Sequence, residues 1–311
     1  MEVASIPLSR VFSAICATTA LLLLTSCSSE KSEELAPLKA TSRIEQACHS
    51  SPCVYYVDTD ISSPGNGRSW TAAFKEVQDG IDAAYHTAKH RGSCEVWVAE
   101  GTYYVHNSSP KSSIQLKNKV SVYGGFSGNE TSRDDRDWKT HVTVLDGSQK
   151  RHCAGDADGD NDDDDCDNHH HHKHCKCNKC YKHNKYSKHV HHVVRGRTGA
   201  TIDGLVITNG GGSTGSKSYR NGAGMYNTSQ SPTVRNCVFL SNYAYKDGGA
   251  IYNHNASPRI ENCLFINNSA GGKGGAIYNK HSDPEIINSV FSGNTSNKEG
   301  GAIYVYKKSD I

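Results

Sequence analysis

Between Arg151 and His192 the composition changes abruptly, and here the side chains able to hold a cation gather. The first half runs Asp156-Ala157-Asp158-Gly159-Asp160-Asn161-Asp162, with Asp167 a little further on. Asp156, Asp158 and Asp160 take the first, third and fifth places of a short loop, where alternating carboxylates can wrap one hard cation such as calcium; Asp162 and Asp167 extend the set. The alternative is a solvated acidic tract. The second half offers softer ligands: the imidazoles of His169, His170, His171, His172 and His174 and the thiolates of Cys175, Cys177 and Cys180, at spacings compatible with zinc or copper. Neighbouring histidines bind transition metals with little geometric demand, so the opposing reading is a low-complexity insertion closed by disulfides. With almost no apolar residues, 151–192 cannot join a core and must protrude as a loop. Nothing in the chain calls for an organic cofactor.

The elements that carry this loop are set by a repeat. GGAI recurs at Gly248, Gly274 and Gly300, 26 residues apart, and each is followed by a tyrosine: Tyr252, Tyr278 and Tyr304, with Tyr226 in the earlier variant GAGMY. Pro232, Pro258 and Pro284 keep the same register, as do Asn236, Asn262 and Asn288, and Phe239, Phe265 and Phe291. A fixed period of this length means one small unit stacked on copies of itself. The runs within it are short, β-branched and aromatic, bounded by Gly, Asn, Asp and Pro, and none holds a helical period. The fold class expected is therefore all-β, a parallel β-helix of about 26 residues per coil, in which residues one period apart sit roughly 4.8 Å apart along the axis.

Particular columns follow from that geometry. Phe239, Phe265 and Phe291 should stack inside, and Met225, Ile251, Ile277 and Ile303 should form an aliphatic column. Asn236, Asn262 and Asn288 read as a buried ladder at a bend, since Asn tolerates the left-handed backbone. Cys237 and Cys263 share a column with Ser289, which suggests small buried side chains rather than a bridge. Asp247, Lys273 and Glu299 alternate in sign, as do Arg259 with Glu285 and Arg235 with Glu261, a pattern that stabilises neighbouring strands. Thr201–Ile207 matches Thr233–Phe239 at an offset of 32, implying an earlier coil with a longer turn.

Residues 1–26 combine Arg10 with a short apolar run through Leu21–Leu24, the form of an export signal. Residues 27–53 read as a flexible tether and 54–94 as a cap region. Within the cap, Trp70, Phe74, Val77, Ile81 and Ala84 fall on one face of an amphipathic helix, a plug for the open end of the β-helix that begins near Glu95 and runs to 311. Cys48, Cys53 and Cys94 lie close together in the sequence, and a disulfide among them suits export, with the pair left open.

Leu24-Thr25-Ser26-Cys27 resembles the lipobox of bacterial lipoproteins, which implies cleavage before Cys27 and its lipidation. Ser28 after it resembles the pattern sorted to the outer membrane. The stretch from Tyr56-Val57-Asp58 through Ser69-Trp70 to Gly101-Thr102-Tyr103, with Tyr123-Gly124-Gly125-Phe126, Arg136-Asp137-Trp138 and His192-Val193-Val194, resembles secreted right-handed parallel β-helix proteins of the pectin-lyase-like superfamily. The GGAI and Phe-x-x-Asn elements resemble repeats of the polymorphic outer-membrane protein family, which implies surface display and adhesion. The acidic loop is similar to EF-hand and thrombospondin type-3 calcium loops, but Asn161 holds the sixth place and Asp167 the twelfth, where an EF-hand has Gly and Glu.

The formal charge is +2 with acids and bases interspersed, and no nucleic-acid partner is suggested. The expected partners are a membrane, reached through the lipid, and a glycan or surface-protein ligand. The expected place is the bacterial outer membrane or cell surface, with its periplasmic face as the alternative. Tyr226, Tyr252, Tyr278 and Tyr304 offer either an outward stripe for sugar stacking or a ladder that stabilises itself. An uncapped last coil invites self-association. The second functional class is a polysaccharide lyase or hydrolase, for which Asp58, Asp146 and Asp203 are isolated acids rather than a converging pair. The reading favours a binding or structural scaffold over an enzyme.

Overall fold

One repeat shows how the chain turns. Residues 251–270 form β14 (Ile251–His254), β15 (Arg259–Glu261), β16 (Leu264–Ile266) and β17 (Ser269–Ala270). Between them the backbone bends at Asn255, Asn262 and Asn267, all with φ between 50° and 54°, a left-handed conformation that Asn adopts at small cost. Gly274 closes the coil at φ 66°. The next coil repeats the pattern as β18 (Ile277–Lys280), β19 (Glu285–Ile287), β20 (Val290–Ser292) and β21 (Thr295–Ser296). Every pairing between the two coils is parallel and in register at 26 residues, as in Ile251 with Ile277 and Phe265 with Phe291.

The computed structural model describes residues 53–106, 109–149, 189–211 and 220–307. Among these the strands gather into stacked parallel sheets. The first, seven-stranded, runs β1 (Val54–Val57), β2 (Cys94–Ala99), β5 (Val120–Phe126), β8 (Thr201–Asp203), β11 (Thr233–Arg235), β15, β19. The second holds β4 (Ile114–Gln115), β7 (Val194–Arg195), β10 (Met225–Thr228), β14, β18 and β22 (Ile303–Tyr306). The third holds β3 (Gly101–His106), β6 (Thr143–Gln149), β9 (Leu205–Thr208), β12 (Val238–Leu240), β16 and β20, and a small fourth pairs β13 (Tyr243–Ala244), β17 and β21. This is a parallel β-helix, and Thr201 pairs with Thr233 as the offset of 32 requires.

The interior is built of like on like. Phe239, Phe265 and Phe291 stack with centroids 5.0 and 4.6 Å apart, and Ile114, Val194, Met225, Ile251, Ile277 and Ile303 share one column. Each fully buried aliphatic or aromatic side chain contributes about 1.5–3 kcal/mol. Cys237 and Cys263 are buried free thiols that donate to the carbonyls of Arg235 and Glu261, and burial raises the pKa of Cys237.

The buried asparagine ladders are not the expected one. Asn236 is half-buried and Asn262 and Asn288 are exposed, holding left-handed corners as predicted but at the surface. The buried ladders are Asn227-Asn253-Asn279, linked Nδ2 to Oδ1 at 2.8 Å at each step, and Asn242-Asn268-Asn294, linked at 3.0 Å. The second also donates to carbonyls that the turns would otherwise strand: Ile207, Phe239 and Phe265.

The cap differs in detail from expectation. A 3-10 turn covers Trp70–Ala72, Phe74 bridges Val57 in extended form, and the helix, α1, runs Val77–Arg91. Val77, Ile81, Ala84 and Ala88 are its buried face, whereas Trp70 packs with Tyr56 and Phe126. Gly80 faces the sheet so closely that a Cβ there would lie 2.6 Å from Val57 Cγ2. A mid-helix glycine costs about 1 kcal/mol, and here it admits the strand. Cys53 and Cys94 form the disulfide; Cys48 lies outside the described residues. The first sheet already includes β1, so the stack starts at Val54 rather than near Glu95. At the other end, Val290, Ile303, Val305 and Tyr306 of the last coil are exposed.

Candidate functional site

Cys27, the acidic set Asp156, Asp158, Asp160, Asp162 and Asp167, and the set His169, His170, His171, His172, His174, Cys175, Cys177 and Cys180 all lie outside the described residues. The flanks of the insertion are described. Ser148 and His189 form an antiparallel bridge, His189 Nδ1 lies 2.8 Å from the Asn209 carbonyl, and Asn209 Nδ2 donates to both oxygens of Asp146. Residues 190–194 are buried, so His191 and His192 belong to the β-helix wall rather than to the loop. Among the described residues no three His, Cys, Asp or Glu side chains converge as metal ligands.

His192 shows what the wall does with a histidine. Its ring stacks on Tyr226 at 4.7 Å, and Nδ1 lies 2.9 Å from the Gly222 carbonyl. Burial pushes its pKa down to about 3, with Arg195 and His191 adding to the effect, so the ring is neutral at pH 7.

From Tyr226 the column continues through Tyr252, Tyr278 and Tyr304, with centroids 5.5, 5.3 and 5.4 Å apart and rings within 16° of parallel. In Tyr226, Tyr252 and Tyr278 the faces a sugar would stack on are thus covered by a ring on either side, whereas Tyr304 stacks on one side only. Burial raises the Tyr252 and Tyr278 hydroxyls above the ordinary phenol value. At the last rung Lys273 Nζ donates to Tyr304 Oη at 2.8 Å and to Glu299 at 2.9 Å, bonds that raise the lysine and lower the glutamate. The alternating column Asp247-Lys273-Glu299 is therefore structural.

A site that the spacing did not announce lies on the outer face of the first sheet. Strand alternation turns Val122, Ile202, Val234 and Ile260 inward, which leaves Tyr123, Asp203, Arg235 and Glu261 on the other face. The segment 133–138 packs across this face because Gly125 and Gly204, both at positive φ, carry no Cβ to meet Trp138 and Arg136. Together they border a cleft of about 310 Å³. Its floor is Asp203, with a side chain 4% exposed. Asp203 Oδ1 accepts from Arg136 Nη2 at 2.7 Å and from Asn236 Nδ2 at 2.8 Å, while Oδ2 lies 3.4 Å from Arg235 Nε. Arg136 also donates to the Gly124 and Asp203 carbonyls, and Arg133 bonds Glu95 at 2.7 Å while lying over Tyr123.

One expected pairing fails here. Arg235 and Glu261 face each other across adjacent coils, yet Arg235 turns back to Asp203, and Glu261 lies 3.4 Å from Arg259 Nε. Arg259 in turn bonds Glu285, the pairing that was expected. The buried carboxylate of Asp203, already flanked by Arg136, gives the better partner for Arg235.

Residues 236–254, 262–280 and 288–306 match the Chlamydia polymorphic membrane protein repeat. No curated protein and no solved structure matches the chain. Each matched window begins at an outer Asn corner and takes in the stacked Phe, the ladder asparagine of the Asn242 column, the glycine turn and the tyrosine. The first two windows also take in Asn253 and Asn279, whose place in the third is held by Val305; these are the residues that close one coil and seat it on the next. The chain carries three copies of this repeat, which points to a protein of the cell surface or outer membrane.

Proposed function

We propose that the protein is a surface scaffold, tethered to the outer membrane through lipid on Cys27, whose outer faces bind a glycan or protein partner. The observation that carries this reading is the repeat match together with how the matched residues are used. Phe, Ile, Asn and Tyr columns are spent on contacts between coils, so only the outer faces remain for recognition. The lipobox supports attachment, because several acyl chains hold a protein on a membrane where one does not. The insertion 151–188 adds calcium and zinc or copper as proposed ligands.

Glycan cleavage is not favoured by the acids that could serve it. Asp203 is engaged by Arg136, Asn236 and Arg235, Asp146 by Asn209 and the Ser148 amide, and Asp58 by the Asp60 amide. Asp146 and Asp203 also stand in different sheets. The test is fractionation of a Gram-negative host expressing the full chain. Wild type is expected in the outer membrane and cleaved by protease added to intact cells, and Cys27→Ser is expected in the soluble fraction. Protection of the wild type from protease in intact cells, or a Cys27→Ser variant that stays with the membrane, would overturn the proposal.

A further inference from the structure

The cleft on the first sheet has a chemical character that narrows its ligand. Its border carries three guanidiniums, Arg133, Arg136 and Arg235, and three carboxylates, Asp134, Asp203 and Glu261. Three against three leaves no net charge, so an ion of either sign gains from one set what it loses to the other. The remaining neighbours are polar amides and the tyrosine between the arginines, so a purely apolar ligand finds little to cover. What the cleft offers is hydrogen-bonding capacity of both kinds at close quarters.

That capacity is concentrated at Arg235 and Glu261. Their Cα atoms are register partners on adjacent parallel coils, about 4.8 Å apart. Among the described residues nothing accepts a hydrogen bond from the Arg235 guanidinium, which is held only by the ion pair to Asp203, and its side chain is 41% exposed. Glu261 meets Arg259 through Oε2 alone. A planar donor fork and a planar acceptor therefore stand side by side without satisfying each other. Asn262, next in sequence and exposed, adds an amide that can do either.

A hydroxyl group both donates and accepts, and two neighbouring hydroxyls on one ring can bridge a guanidinium and a carboxylate. The geometry points to a neutral, hydroxyl-rich ligand: we propose that this cleft binds one unit of an uncharged glycan through Arg235, Glu261 and Asn262. A volume of about 310 Å³ sits at the lower end of small-ligand sites, room for a single sugar ring. The floor is preorganised, because Arg136 and Asp203, with side chains 12% and 4% exposed, are locked to each other before any ligand arrives. The inference deepens the scaffold reading but does not need the membrane anchor.

The test uses the detergent-solubilised full chain on an array carrying neutral, carboxylated and sulfated oligosaccharides, with hits followed by calorimetry. Binding to a neutral glycan is expected, unchanged within about twofold between 0.1 and 1 M salt because no net charge is neutralised. Glu261→Gln and Arg235→Lys should each weaken it about tenfold or more. Both sites are on the surface and Arg235→Lys keeps a cation beside Asp203, so unchanged melting temperatures are expected to accompany the loss. Binding confined to carboxylated or sulfated glycans and abolished by salt would overturn the proposal. So would no glycan binding at all, or neutral-glycan binding that both variants retain. Correct surface display alongside any of these results would leave the scaffold reading standing and remove only the cleft.

Discussion

Removing the side chain of Asn268 tests the ladder that holds one coil to the next. Its Oδ1 accepts from the Asn242 amide at 3.1 Å and from Asn242 Nδ2 at 3.0 Å, and its Nδ2 donates to the Phe239 carbonyl at 2.9 Å and to Asn294 Oδ1 at 3.0 Å. Asn268→Ala leaves four groups without that partner, and at least the Asn242 and Phe239 groups lie where water does not reach. A lost hydrogen bond is worth about 1 kcal/mol, and a buried group left unsatisfied costs about 1–3 kcal/mol. Asn242 Nδ2 keeps the Ile207 carbonyl, so the Asn242 amide and the Phe239 carbonyl are the two buried groups left unsatisfied, and they set the expected loss at about 2–6 kcal/mol. Asn294 makes the same contacts one coil further on, to Phe265 and Asn268, but is only half-buried, so water can replace it. Asn294→Ala should therefore cost about 1–2 kcal/mol. Chemical denaturation followed by far-ultraviolet circular dichroism, with the slope checked for equality, measures both. Equal losses for the two variants, or a loss under 1 kcal/mol at Asn268, would refute the claim that burial gives the ladder its worth.

Three further outcomes are expected. His192 is neutral in the fold and its pKa lies near 3 against 6.5 when free. The unfolded chain thus binds the extra proton first, and stability is full above pH 6.5 and declines as pH falls toward 3, by about 2 kcal/mol at pH 5 from this group. His192→Gln should flatten the pH dependence of unfolding between pH 6 and 4 by about one proton; equal slopes would count against it. Gly80→Ala gains about 1 kcal/mol of helix propensity but drives a methyl to 2.6 Å from Val57 Cγ2 and 3.0 Å from Val96 Cγ1. The overpacking, about 1–3 kcal/mol, should win and lower the melting temperature by several degrees. Metal analysis of the protein with and without residues 151–188 should show calcium and zinc or copper only in the longer form; no metal in either would remove the role proposed for the insertion.

The period of 26 made the columns legible because it brings identical residues into register, and Phe239, Phe265 and Phe291 needed nothing else. A period alone does not say which side of the wall a column faces. Asn236 therefore reads as an inner rung from its period, although the inner rungs are Asn227 and Asn242. Strand alternation held the answer: Ile251 points inward, so Asn253, two residues on, must do so as well. Trp70 and Phe74 continue the apolar spacing of the helix, yet the helix starts only at Val77, because the backbone at Phe74 pairs with Tyr56 and Asp58. The cleft was not legible at all. Tyr123 and Arg136 come from one coil and Asp203 and Glu261 from two others, at unequal spacing, and only folding makes them neighbours.

Because the inner seams between coils repeat the same Phe, Ile, Asn and Tyr columns, one more or one fewer repeat leaves the interior of the junctions as it was. Only the outer charges, where Arg259 meets Glu285 and Lys273 meets Glu299, would bring like beside like. A 26-residue duplication of 251–276 would slide in between its own copies and move whatever lies beyond it outward by a single step of about 4.8 Å. A population of such genes could thus vary in length, like notches on a ruler, while girth stays the same.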